Sequence, residues 1–173
     1  MEISAGKIKL RQLTFADSHR LAALANNPKI AVNLRDGFPH PYTLADAEKF
    51  IQTFAVQEPQ QIFAIDYEGE YAGNIGLHPG TDVYRKTAEI GYFLGEPYWG
   101  KGIMTQAVQL LCDYGFKSLD IVKIYAGVFE YNQASMRVLK KCGFFREAVL
   151  QKAVFKQEKL WDEIRFALLK KGV

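Results

Sequence analysis

The residues best placed to do chemistry stand in one stretch, Trp99-Gly100-Lys101-Gly102-Ile103-Met104-Thr105. Before it, Ala88-Glu89-Ile90-Gly91-Tyr92-Phe93-Leu94 has the apolar and aromatic content of a strand. After it, Ile103, Ala107, Leu110, Leu111 and Tyr114 recur at helical spacing. A strand therefore runs into a glycine-containing turn that opens a helix. Two glycines one residue apart let the backbone approach a ligand and turn its amides toward it. The first turn of a helix adds free N–H groups and the positive end of the dipole, so the stretch is a candidate anion site, most often one for phosphate. The plainer alternative is a simple loop before a helix. The spacing is not that of a Walker loop, G-x-x-x-x-G-K-[ST]. Nor is it a dinucleotide fingerprint, because the third glycine position holds Thr105.

The stretch resembles the pyrophosphate loop of the GNAT N-acetyltransferases, [QR]-x-x-G-x-[GA], with Trp99, Gly100, Lys101, Gly102, Ile103 and Met104 in the six positions. Both end positions depart from the general pattern, and the form Y-W-G-K-G-I-M-T is that of the RimJ/RimL-like branch, the ribosomal-protein N-terminal acetyltransferases and their relatives. The resemblance implies acetyl-CoA as cosubstrate. Its pyrophosphate would rest on the amides of Gly100, Lys101, Gly102, Ile103 and Met104 and on the Thr105 hydroxyl. Its pantetheine arm would lie along Tyr92, Phe93 and Leu94, with an amide at or near Phe93 or Leu94 polarising the thioester carbonyl. Trp99 can supply neither the charge nor the amide of the usual residue; packing is the expected role, with stacking on the ligand the alternative.

Direct acyl transfer from a thioester to an amine needs a polarised carbonyl, an acceptor for the amine proton and a donor for the thiolate. It needs no covalent enzyme intermediate, and no G-x-S-x-G or Cys/His arrangement occurs here. A second constellation, Asn132-Gln133-Ala134-Ser135 followed by Cys142-Gly143-Phe144, resembles the family's N-x-x-[SA] helix and its closing G-F. The resemblance assigns Asn132 to the pantetheine, and an N-cap role is compatible with that. The position of the family's usual tyrosine acid holds Leu139, and the branch's alternative donor, a serine, is matched by Ser135. Glu89, a lone acid in an apolar-aromatic strand, is the candidate base, set either in a cleft or on the solvent face. The branch's other base position holds Val154; Asp162, Glu163 and Tyr131 are reserves. The resemblance frames the acceptor with the loop carrying Asn33, Arg35, Asp36, Phe38, His40 and Tyr42, joined by His78 and Tyr84.

The elements that must position these groups can be read along the chain. A half-buried strand is expected over 7–13. Helices capped by Thr14 and Thr43 follow, with a loop over 28–41 between them. A hairpin covers 61–67 and 71–77, a strand 87–94, a helix 103–117, a strand 122–128 and a helix 132–141. Two long strands, 144–154 and 160–169, close the chain. The fold class is α/β (α+β): one mixed central sheet with flanking helices, which agrees with the GNAT acyltransferase fold. A single domain is expected over 1–173, with its core at about 7–169.

Composition narrows the field. Of the 173 residues, 49% are hydrophobic and 24% charged, as in globular proteins, and no apolar run reaches the ~20 residues of a membrane span. Residues 1–9 lack a signal-peptide core, so a cytoplasmic location is expected. Cys112 and Cys142 have no metal or redox spacing and are expected as buried thiols, and three scattered histidines suggest no metal. A net charge of +3 without a basic stripe argues against nucleic acid. The expected activity is acetylation of a primary amine, foremost a protein N-terminal α-amine as in ribosomal-protein acetylation. A small amine (polyamine, aminoglycoside or amino-acid derivative) and a non-catalytic CoA-binding module are the alternatives. Monomer and homodimer both stay open.

Overall fold

The computed structural model describes residues 2–172. Strands β1 (Glu2–Ala5) and β2 (Ile8–Arg11) precede helices α1 (Ser18–Ala25), α2 (Pro28–Ala31) and α3 (Leu44–Phe54). The hairpin is β3 (Ile62–Tyr67) and β4 (Glu70–Pro79). Then come β5 (Thr87–Leu94), α4 (Ile103–Ser118), β6 (Lys123–Phe129), α5 (Gln133–Lys141), β7 (Phe145–Lys156) and β8 (Lys159–Leu169). The eight strands hydrogen-bond in the order β1-β2-β3-β4-β5-β6-β8-β7. The sheet is mixed: β5 runs parallel to β6, whereas β2–β3, β3–β4, β6–β8 and β7–β8 are antiparallel.

Two elements were not legible in the sequence pattern. β1 pairs with β2 around Gly6, yet Ile3 is the one partly buried residue in it, so no apolar alternation announces it. α2 interrupts the expected 28–41 loop. Pro28 opens it with a preset φ, and the Asn27 side chain accepts the Lys29 N–H at 2.9 Å.

The chain divides into two compact units. One takes in the N-terminal residues through Gly76 together with Tyr92–Leu111. Leu21, Ile51, Ile62, Tyr71 and Phe93 are in its core. Thr43 caps α3 as expected, and Asp46 completes a capping box with it. Before α1, the Asp17 carboxylate accepts the Thr14 N–H at 2.8 Å and the Arg11 guanidinium through two hydrogen bonds of 2.8 and 2.9 Å. Arg11 Nε also reaches Asp66 at 3.0 Å.

The other unit is Leu77–Gly91 with Cys112 onward. The first part of β5 pairs with β6 there through Thr87↔Lys123, Ala88↔Ile124 and Glu89↔Tyr125. β6 pairs with β8 through seven residues, including Gly127↔Arg165 and Phe129↔Glu163. On one face of these strands Ala88, Ile90, Ile124, Ala126, Val128, Ile164 and Phe166 are buried; on the other Glu89, Gly91, Tyr125, Gly127, Glu163 and Arg165 are half-buried, beside the buried Phe129 and Ala167. β7 is an exposed edge strand carrying Arg146, Glu147, Lys152 and Lys156, charges of the kind that keep an edge from pairing with another chain.

Candidate active site

The glycine loop owes its shape to backbone conformation. Gly100 and Gly102 lie at φ +74 and +75, a region that costs an L-residue roughly 1–2 kcal/mol. Nothing stands within 4 Å of where a Cβ would be at either position, so the glycines serve the turn and not a tight fit. The turn leaves Gly100, Lys101 and Gly102 exposed and starts the 16-residue α4 at Ile103. Ile103 and Met104 bury their side chains, so what they can offer an anion is their amides; Thr105 is half-buried.

Trp99 and Tyr98 hold this loop. Trp99 is 43% exposed, and its indole N–H donates to the Leu94 carbonyl at 2.7 Å. It is a strap between the end of β5 and the loop, not the packing residue expected from the sequence. Tyr98 is buried; its hydroxyl accepts from Arg20 at 2.5 Å and donates to Glu70 at 2.9 Å. Arg20 and Lys101 both stand against its ring, 6.0 and 5.6 Å from the centroid. Two cations are thereby gathered beside a loop that already favours anions.

At the end of β5, Phe93 and Leu94 are buried and Tyr92 is half-buried. A Cβ on Gly73 of β4 would lie 2.2 Å from the Phe93 carbonyl oxygen, so glycine is required for this close approach. The Phe93 ring packs on Phe38, which packs on Tyr42, at 5.6 and 4.9 Å. Tyr42 is 6% exposed, and burial, with Asp46 adding to it, pushes its phenol up to about 12. These two loop aromatics pack toward β5, Tyr42 buried and Phe38 half-buried. Asn33 donates to the Lys29 carbonyl at 3.0 Å; Arg35 and His40 stand on the same loop, and Asp36 is exposed there.

In the other unit, Asn132 caps α5: its side-chain oxygen accepts the Ser135 N–H at 3.2 Å. Ser135 is half-buried one turn into the helix. Leu139 is fully buried, which explains an apolar residue where the family often has a tyrosine. Glu89 is half-buried beside Tyr125. Among the reserve carboxylates, Asp162 accepts the Lys152 N–H at 2.9 Å, tying down a residue at φ +52, and its own N–H donates to Glu130. Tyr131 packs edge-on against Trp161 at 4.9 Å. Glu163 is different. The one hydrogen bond its carboxylate receives among the described residues comes from Arg165 at 3.0 Å, and it lies flat over Gly127. Val154 sits on β7, paired with Trp161. His78 stands over Gly91, 3.7 Å from a Cβ placed there; Tyr84 is 70% exposed. Gly91, Gly127 and Arg165 carry no motif and were missed in the sequence.

Of the thiols, Cys112 is buried but Cys142 is half-buried, contrary to expectation, because it follows the last turn of α5. Burial pushes both thiols up, that of Cys142 to about 11, so neither is poised as a nucleophile. Among the described residues no group of three His, Cys, Asp or Glu side chains could hold a metal, and no helix is long and apolar enough to cross a membrane.

Comparison with known proteins places the fold and loop in a class. The acetyltransferase (GNAT) domain family matches residues 7–145. The chain belongs to this family and is an N-acetyltransferase. It is 30% identical over 173 residues to the uncharacterized N-acetyltransferase YoaA of Bacillus subtilis, covering 97% of this chain and 96% of that protein. It is 29% identical over 166 residues to the spermidine N(1)-acetyltransferase of Escherichia coli K12, covering 95% and 87%. A RimL ribosomal L7/L12 α-N-protein acetyltransferase, solved with coenzyme A, shares the fold: TM-score 0.88, 22% identity, all of both chains covered.

Proposed function

We propose that the protein is a single-domain enzyme that transfers the acetyl group of acetyl-CoA directly to a protein N-terminal α-amine, as a RimJ/RimL-like member of the family. The observation that carries the cosubstrate is the loop: two left-handed glycines open on their Cβ sides, a following helix start, and Lys101 and Arg20 gathered at Tyr98. This is the donor set a diphosphate needs, so the residues present fit the group. Acetyl-CoA supplies the activated thioester.

The chain's own residues do the rest. The amides of Gly100, Lys101, Gly102, Ile103 and Met104, with the Thr105 hydroxyl, bind the pyrophosphate. The backbone of Tyr92, Phe93 and Leu94 aligns the pantetheine and polarises the carbonyl, on a strand end fixed by Gly73, Phe38 and the Trp99 strap. Asn132 and Ser135 contact the arm, and the Ser135 hydroxyl gives the departing sulfur its proton. Glu89 takes the proton of the attacking amine, directly or through water. A protein N-terminal acceptor is favoured by the Y-W-G-K-G-I-M-T form of the loop and by the RimL ribosomal L7/L12 α-N-protein acetyltransferase that shares the fold.

A thiol-release assay with acetyl-CoA tests this across peptides with Ala, Ser and Met N-termini, spermidine, aminoglycosides and free amino acids. Turnover of peptides is expected. Turnover of spermidine alone would move the acceptor to polyamines, the reading favoured by the spermidine-acetylating relative. Acetyl-CoA binding without any turnover would favour a CoA-binding module, the reading that the buried Leu139 supports.

A further inference from the structure

The Glu163–Arg165 pair is not needed to hold β8. Its strand is paired on both sides, to β6 and to β7, without help from these side chains. Both nevertheless sit on the sheet face of Glu89, in a strip with a peculiar floor. Arg165 is opposite Gly127, and the missing side chain leaves room into which Glu163 leans. A Cβ at Gly127 would lie 2.6 Å from the Glu163 carboxyl carbon and 2.8 Å from each of its oxygens. On β5 the residue two beyond Glu89 is Gly91, and what a Cβ there would meet is the His78 imidazole at 3.7 Å. Two glycines thus lower one face of β5 and β6, with a histidine by the first and a carboxylate across the second.

The carboxylate is also incompletely used. Arg165 gives it one hydrogen bond, from Nη2, while the guanidinium stacks 5.1 Å from the Tyr125 centroid and keeps its Nε buried without a partner. An arginine placed only to neutralise an acid would offer both ends of its fork. This one sets the acid's position and leaves its second oxygen without a hydrogen bond among the described residues. The Glu163 side chain is 14% exposed, so a cation that reaches that oxygen is drawn out of water and bound more strongly than at an open surface.

We propose that Glu163, laid over Gly127 and steadied by Arg165, is the residue that binds the acceptor's N-terminal α-ammonium. The proposal rests on the acetyltransferase reading and adds to it the group that selects a charged amine. Glu163 holds the ammonium in place; Glu89 keeps the role of proton acceptor. Arg165 acts through Glu163 and is a positioning residue.

The test is steady-state kinetics of the full chain with acetyl-CoA and an Ala-Ser-initiated peptide, spermidine being the second probe. Glu163→Gln keeps shape and removes charge. It is expected to raise the KM for the peptide about tenfold or more, while the KM for acetyl-CoA, kcat and the melting temperature stay put. Gly127→Ala displaces the carboxylate without touching its charge and is expected to raise the same KM in the same direction, with Glu163→Asp intermediate. An unchanged peptide KM in Glu163→Gln overturns the proposal. So does a fall in kcat alone, which would make Glu163 the proton acceptor, or a joint rise of both KM values, which would make it structural. If the wild type acetylates spermidine and not the peptide, the proposed acceptor class falls while the acetyltransferase reading stands. If it binds acetyl-CoA and acetylates neither, the proposed acceptor class falls as well.

Discussion

Two arginine–carboxylate pairs, one in each unit, use the same chemistry to opposite ends. Asp17 is 8% exposed in its side chain and fully engaged: Arg11 donates to both oxygens, and the Thr14 amide and hydroxyl donate as well. Arg11 spends its remaining Nε on Asp66, whose other oxygen accepts the Gly69 N–H. Glu163 is similarly shielded but, among the described residues, receives one hydrogen bond, and its arginine has a buried Nε without a partner there. A saturated pair is a joint: it ties β2, β3 and the turn before α1 together, and nothing is left for a ligand. An unsaturated pair is a tool held ready, and its incompleteness is tolerable because substrate can complete it.

Breaking each pair should separate them. Arg11→Met leaves Asp17 and Asp66 buried without their cation and is expected to cost about 3 kcal/mol of stability, read from denaturant unfolding. Arg165→Met should cost less than about 1 kcal/mol, since its fork is already half idle, while raising the peptide KM. Equal losses of stability would erase the distinction.

Acid should sharpen it. Burial alone would raise the Asp17 carboxyl, but the Arg11 hydrogen bond and then the Thr14 amide outweigh burial and hold it below the ordinary range. A depressed native pKa means the unfolded chain binds the proton first. The contribution is therefore complete above about pH 4 and is lost as pH falls through the native value. Thermal melts between pH 7 and pH 3 should show this acid loss in the wild type and a weaker one in Arg11→Met.

Two smaller effects belong to the loop. Gly102→Ala places a Cβ at φ +75 and should cost about 1 kcal/mol locally; the expected readout is a KM for acetyl-CoA raised about fivefold with the peptide KM unchanged. Trp99→Phe removes the bond to Leu94 and should shift stability by about 0.5 kcal/mol, with a slight rise in the same KM.

Local chemistry was legible in the sequence, and long-range juxtaposition was not. The Thr43 cap of α3, the α4 periodicity and the strand over Thr87–Leu94 appear where their residues predict, because each depends on neighbours a few positions away. The glycine loop belongs with them: a left-handed turn before a helix is a property of seven consecutive residues. β1 left no signal because almost nothing on it is buried. Trp99 was misjudged because its partner is a backbone carbonyl, and carbonyls have no sequence signature.

By itself, then, the sequence determined the family, the glycine turn before a helix and the order of the elements other than β1 and α2, all set by short-range patterning. The tertiary structure decided which acids are joints and which are available. Asp17 and Glu163 look alike in the sequence, each a few residues from its arginine. What separates them is that β8 returns antiparallel to β6 in the register that puts Arg165 opposite Gly127. That register comes from pairing a whole strand, and through it a missing side chain on β6 becomes the resting place of a carboxylate from β8.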